Sequence, residues 1–401
     1  MAFNCKVGDT RPEETIRPLA LLPMRGFEEM GKRVNDYLLR WTTDPESDTT
    51  ITFPGFDKTN FLIEADCPRF GTGEAKGMIH SSVRGYDLYI LCDVTNYHVT
   101  YPMYNLHSPM SPDDHFADLK RLIAAAGNKP HRITVIMPYL YEGRQHRKNG
   151  RESLDCAIAL QELYHLGVHN IITFDAHDPR VANAAPVENF DTVQPIYQIL
   201  KALLKARPDM KIDPQHALVV SPDEGAAPRN IYFSSMLGLD MGLFYKRRDY
   251  SVLVNGRNPI IAHEYLGDSV EGKDVIIADD ILSSGDSMLD IAEELHKRKA
   301  GRVFLAATFA LFTEGLHAFD EAYAQGKFDL LLGTNLTNLN PELKTRPWFK
   351  EVDVAKYIAL IVATLNHDTS ISHLLNPDDR IKRLLEAHAR RQQLDGQLSV
   401  E

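Results

Sequence analysis

The stretch VIIADDILSSGDS, Val275 to Ser287, joins an apolar strand-like run to a short loop of hydroxyls and glycine, and it carries three acids, Asp279, Asp280 and Asp286. If a helix follows the loop, Ser284, Gly285, Asp286 and Ser287 present successive backbone amides at the start of MLDIAEELHKR, where the helix dipole also favours an anion. The paired carboxylates sit at the strand end. There they can accept hydrogen bonds from sugar hydroxyls or approach a phosphate-bound Mg²⁺. A sugar phosphate satisfies both halves. A plain helix cap at Ser284 or Ser287 with solvated acids accounts for the same residues, so the rest of the chain has to decide.

Three further groups carry compatible chemistry. GRQHRK gathers Arg144, Arg147 and Lys148 around Gln145; such cations pair with phosphate oxygens while an amide reads a base or a sugar, and a solvated basic turn is the alternative. His177 stands in FDAHD between Asp175 and Asp178. Oxygen and nitrogen donors without a thiolate suit Mg²⁺ or its water shell better than structural zinc. YKRRD brings Lys246 and Arg248 close together.

These groups follow a recurring unit in which a short apolar run ends in polar residues and is succeeded by a helix-like segment. The runs are DLYILCDVTN, RITVIMPY, NIITFDAHD, ALVVSPDEG, DVIIADDILSSG and RVFLAATFAL, with FDLLLGTN a further candidate. Apolar strands alternating with helices predict an α/β protein with mainly parallel sheets flanked by helices, and ligands in such sheets lie at the carboxyl ends of the strands. The count of strands predicts two α/β domains. We place an N-terminal extension at 1–55, a first α/β domain at 56–205, a second at 206–375 and a charged helical tail at 376–401. TYPMYNLHSPMSPDDH reads as a Pro-, Tyr- and His-rich loop, and GFEEMGKRVNDYLLRW as a helix in an added element.

Composition narrows the partners. The chain has 401 residues, 44% of them hydrophobic, with a formal charge of -11 and a pI near 5.8. It has enough apolar content for a core and no basic block for a nucleic-acid backbone. Cys5, Cys67, Cys92 and Cys156 have no CxxC spacing, which argues against a zinc site or a disulfide framework. No segment reads as a leader or a membrane span, and a cytoplasmic location is expected.

Taken together, RFGTGEAKGMIHSSVRGYDLYIL, MPYLYEGRQHRKNGRES, IITFDAHD, VVSPDEGAAPR, YKRRD and DDILSSGDS, supported by TNLTN and LNHDTSISHLLN, resemble the ribose-phosphate diphosphokinase (PRPP synthetase) family across about residues 65–375. The resemblance implies two phosphoribosyltransferase-like domains. It implies adenine contacts from Phe70, Thr72 and Glu74 across a subunit interface, hence a homo-oligomer, dimer or hexamer. Arg144 and Gln145 match the ATP-contacting pair, while His177 and Asp223 match residues beside the Mg²⁺ that escorts the triphosphate. Lys246 and Arg248 match the catalytic cations that family members carry on a flexible loop. Asp279 and Asp280 would hold the ribose diol, and Ser283, Ser284, Gly285, Asp286 and Ser287 the 5-phosphate.

The implied reaction transfers the β,γ-diphosphoryl group of ATP to the 1-hydroxyl of ribose 5-phosphate, giving PRPP and AMP. A catalytically weak regulatory paralogue and a PRPP-using phosphoribosyltransferase are the alternatives. Three positions depart from the family pattern. The phosphate loop reads Ser283-Ser284-Gly285-Asp286-Ser287 where an acid, a threonine and two glycines before a final threonine are usual, with the Asp286 carboxylate expected to turn outward. His146 replaces an acid, and DAHD replaces a form with Leu and Ala flanking the histidine.

Overall fold

The computed structural model describes residues 17–43, 60–248 and 260–398, and the chain divides into two compact units. The first holds residues up to Gln194 and takes back 335–338 and 353–375. The second holds Pro195–Thr334, Leu339–Val352 and residues from Asn376 onward.

The first unit is built on a five-stranded, wholly parallel sheet in the order Leu19–Pro23, Asp87–Leu91, Arg132–Ile136, Asn170–Phe174, Asn189–Val193. Every residue of Asp87–Leu91 and Asn170–Phe174 is buried, as strands covered on both faces must be. The helix Pro112–Ala126 starts at a capping box in which Ser111 and Asp114 satisfy each other's backbone amides, with Pro112 in the first turn where its missing N–H costs nothing.

The second unit carries a seven-stranded sheet in the order Ile260–Leu266, Met241–Arg248, Ala217–Ser221, Asp274–Leu282, Val303–Ala310, Leu330–Thr334, Phe349–Val352. Ile260–Leu266 runs antiparallel to its neighbour, and the other pairings are parallel. One face is filled by an aromatic cluster in which Trp348 meets Phe312, Phe319, Phe328 and Phe349, its indole N–H donating to Asp320 at 2.7 Å. The other face takes the helix Ile196–Ala206, whose Ile196, Ile199, Leu200, Leu203 and Leu204 form one buried stripe at helical spacing.

All seven apolar runs read from the sequence are strands, but among the described residues the two large sheets hold five more that were not anticipated. Four of these are sheet edges, where one side lacks a strand neighbour and the continuous apolar signal weakens. Leu19–Pro23 is one of them. It falls in the stretch set apart as an extension, yet it pairs with Asp87–Leu91, and the helix Glu28–Thr43 behind it packs on Ala355–Asn366. Residues 19–43 of that stretch are therefore part of the first unit's layer structure. TYPMYNLHSPM is a β-hairpin of Thr100–Met103 and Leu106–Pro109, rather than a loop. The terminal helix Asp378–Leu398 is docked through buried Ile381 and through His388, whose Nε2 lies 2.7 Å from the Met210 carbonyl.

The segment 353–375 is bound into the first unit by a polar knot around buried Asp87. The guanidinium of Arg132 donates to Asp87 and Asp368 at 2.5 Å each and to the Leu365 carbonyl at 2.7 Å.

Candidate active site

In the second unit, strand register fixes which residues converge. Ser221 lies opposite Leu243, and Val220 opposite Ile277. Asp223, Lys246 and Asp279 thus fall within a few residues of one another beyond the same level, at the carboxyl edge of one parallel sheet. The side chains of Lys246 and Arg248 lie outside the described residues. Their backbones, expected on a flexible loop, continue the Met241–Arg248 strand, with Lys246 opposite His263 and an irregularity in the ladder between Arg247 and Arg248.

Asp279 and Asp280 lie within the Asp274–Leu282 strand, and Ser283 follows its end. The Arg229 guanidinium stands 3.6 Å from both carboxylates, within ion-pair distance. Burial, reinforced by the neighbouring Asp280 charge, pushes the Asp279 carboxyl well above the usual carboxylate range, and Arg229 opposes that shift. Arg229 was not singled out from the sequence, although it closes the quoted VVSPDEGAAPR. The available signal was a lone cation in the first turn of a helix that faces two acids. Asn230 holds that turn in place by donating to the Ala278 and Ala226 carbonyls at 2.9 Å.

The loop that follows is tight. Gly285 adopts φ 93° as the N-cap of Asp286–Lys297, and a Cβ there would stand 2.1 Å from the Phe319 ring. The Ser283 carbonyl accepts the Thr313 amide at 3.0 Å, and their hydroxyls are 3.2 Å apart. Asp286 is exposed, but its carboxylate accepts the Ser284 hydroxyl at 2.9 Å, so it bends back onto the loop instead of extending freely into solvent. Ser287 is exposed at the same helix start.

In the first unit, GRQHRK and His177 likewise follow strand ends. Arg144 is exposed, with its Nε 3.2 Å from the Tyr139 hydroxyl. Gln145 donates its amide to the Arg147 and Ser153 carbonyls, at 3.2 and 2.9 Å, and so closes the loop that displays the cations. His177 is exposed just beyond Phe174. Asp178 is held by Arg180 and lies 3.3 Å from His146, and hydrogen bonding from Arg180 lowers its carboxyl to about 2. His146 and His177 rings are 5.5 Å apart. Two of the departures from the family pattern, His146 and the Asp178 of DAHD, therefore contact each other.

Phe70, Thr72 and Glu74 share one turn. Phe70 N donates to the Glu74 carbonyl at 2.7 Å and Gly73 N to the Phe70 carbonyl at 2.9 Å, while the Thr72 hydroxyl donates to Glu74 at 2.8 Å. The turn is anchored by Arg69, which makes a two-point contact with buried Asp118 at 2.7 and 2.9 Å.

Among the described residues, no three or more His, Cys, Asp or Glu side chains form a group able to cage a metal. His177 of the first unit is exposed and Asp223 of the second is partly buried, each beyond a strand end, and nitrogen and oxygen donors of this kind suit a Mg²⁺ that keeps water or phosphate oxygens in its shell. No described helix is long and apolar enough to cross a membrane.

Residues 20–167 match the N-terminal domain of ribose phosphate pyrophosphokinase, and 186–316 match the phosphoribosyl transferase domain. A ribose-phosphate pyrophosphokinase of Pasteurella multocida is 29% identical over 325 residues, covering 78% of this chain and 90% of the relative. One from Haemophilus influenzae is 28% identical over 329 residues, covering 79% and 92%. Among solved structures, phosphoribosylpyrophosphate synthetase from Mycobacterium smegmatis shares the fold at TM-score 0.68 with 19% identity, covering 87% of this chain and 99% of that one.

Proposed function

The chain belongs to the ribose-phosphate pyrophosphokinase family, and on that premise we propose that it transfers the β,γ-diphosphoryl group of ATP to the 1-hydroxyl of ribose 5-phosphate. The observation that carries this reading is the convergence of Asp223, Lys246 and the Asp279–Ser287 turn at one sheet edge.

In the second unit, Asp279 and Asp280 accept hydrogen bonds from the ribose 2- and 3-hydroxyls. The amides and hydroxyls of Ser283 to Ser287 hold the 5-phosphate at the helix start. In the first unit, Phe70, Thr72 and Glu74 meet adenine, and Arg144 with Gln145 sits on the nucleotide. The anomeric oxygen attacks the β-phosphorus; that P–O bond forms as the bond from the β-phosphorus to the oxygen bridging it to the α-phosphorus breaks. AMP leaves with that oxygen, and the anomeric proton passes to solvent. Lys246 and Arg248 balance charge on the non-bridging oxygens in the transition state. His177 in the first unit and Asp223 in the second would each offer one donor to Mg²⁺, which would supply further charge neutralisation to the polyphosphate when bound. A homo-oligomer is part of this reading, because the adenine turn of the family serves a neighbouring subunit.

Purified protein incubated with ATP, Mg²⁺ and ribose 5-phosphate is expected to release AMP and PRPP in equal amounts without a nucleobase. A requirement for a base would assign a phosphoribosyltransferase. No turnover alone, with stimulation of a partner synthetase, would assign a regulatory paralogue.

The Ser284–Asp286 contact supplies a second test. A phosphate in the loop must compete with the Asp286 carboxylate for the Ser284 hydroxyl and sit near its charge. Asp286→Gly is expected to lower the KM for ribose 5-phosphate by about three- to tenfold, the range of one charge interaction near a surface, with kcat retained. A large rise in that KM would show that the carboxylate takes part in binding.

A further inference from the structure

We propose that the Thr100–Pro109 hairpin is a second wall of the nucleotide-base site, with the Tyr104 ring flanking a purine that the Phe70–Glu74 turn holds. This rests on the reading that the Phe70–Glu74 turn meets the adenine of ATP.

Two turns of the first unit are locked together. Tyr104 N donates to the Gly71 carbonyl at 3.0 Å, next in sequence to Phe70. Gly73, at φ 93°, lies directly on the hairpin: a Cβ there would stand 2.8 Å from the Met103 sulfur and 3.6 Å from the Tyr101 ring. The Arg69 guanidinium covers that Tyr101 ring at 4.7 Å, so the residue that anchors the adenine turn also anchors the hairpin.

The hairpin tip is built at a cost. Tyr104 and Asn105 have φ of 47° and 62°, the left-handed pair of a two-residue turn in which Asn-Gly is the unstrained choice. An aromatic residue held there calls for a reason other than folding. Packing does not supply one, since Tyr104 is 73% exposed and Phe70 57% exposed. What the two turns have in common is the surface they present: two solvent-facing aromatic rings beside the Thr72–Glu74 pair. A flat apolar base carrying an exocyclic amine matches it, with the rings taking the faces of the base and the Glu74 carboxylate accepting from the amine. Stacking on a ring contributes affinity for the base and nothing for the polyphosphate.

The variant Tyr104→Gly separates these roles, because glycine adopts the tip's φ without strain and the hairpin should keep its fold. By calorimetry, ATP affinity is expected to fall about tenfold, in the range of one lost stacking contact. Tripolyphosphate affinity, the KM for ribose 5-phosphate, the melting temperature and the particle mass should hold, and Tyr104→Phe should bind ATP as the parent does. Unchanged ATP binding in Tyr104→Gly beside weakened binding in Phe70→Ala would overturn the second wall while sparing the assignment of the adenine turn. Unchanged binding in both variants would overturn that assignment as well. A changed particle mass in Tyr104→Gly would make the tip a contact between copies of the chain and overturn the inference.

Discussion

Lys246→Ala is expected to lower kcat by about three orders of magnitude while moving the KM for ATP by less than about threefold, because a transition-state cation contributes little to ground-state binding. Position underlies the expectation. Leu243 lies opposite Ser221 and Ile277 opposite Val220 in the second sheet, so Lys246, Asp223, Asp279 and Asp280 all lie a few residues beyond that level, toward its carboxyl edge. The diphosphoryl group spreads its developing charge over non-bridging oxygens, and no covalent chemistry by the protein can replace a missing cation there. Steady-state kinetics with both substrates varied provides the check. An equal rise in KM for ATP and fall in kcat/KM, with kcat intact, would assign Lys246 to binding.

Gly285→Ala is expected to abolish ribose 5-phosphate binding at millimolar concentration and to lower stability by about 2–4 kcal/mol, combining the left-handed backbone penalty with overpacking of a filled core. The phosphate loop has no slack on this side. Its glycine faces Phe319, which stacks on Trp348 with ring centroids 5.7 Å apart, and Trp348 is itself ringed by Phe312, Phe328 and Phe349. A methyl group must therefore displace either the cluster or the loop amides that would bind the anion. Thermal melts and isothermal titration with ribose 5-phosphate measure the two losses. Phe319→Leu combined with Gly285→Ala should recover part of both, whereas no recovery would mean that backbone strain alone accounts for the damage.

The legible parts of the fold are its central strands. NIITF and VFLAATFA are buried from end to end and mostly apolar because both faces are covered, and that pattern survives without any knowledge of neighbours. The edge strands were hidden. NFDTV and FKEV alternate with charged or polar residues, and each is read correctly only once its partner strand is in place. The same holds for the candidate site. Asp279, Asp280 and the glycine loop announce themselves locally, but Arg229 gains meaning only from its 3.6 Å separation from acids some fifty positions away. His146 posed the question of a missing acid, and an answer emerged only when Asp178 was found beside it. Tyr104 carried no signal at all, since a positive φ is a property of the folded turn rather than of the residue.

The return of 353–375 to the first unit has a consequence for biosynthesis. At about 5–20 residues per second, the five strands of the first sheet emerge from a ribosome on the order of ten seconds or more before Asp368 and the Leu365 carbonyl that complete the Arg132 knot. During that interval the nascent first unit lacks its Ala355–Asn366 helix, and the apolar face of Glu28–Thr43 lacks its partner. The unit that begins first is thus completed only after all of the second but its terminal helix has been translated, which makes the growing polypeptide a candidate for chaperone capture during that interval.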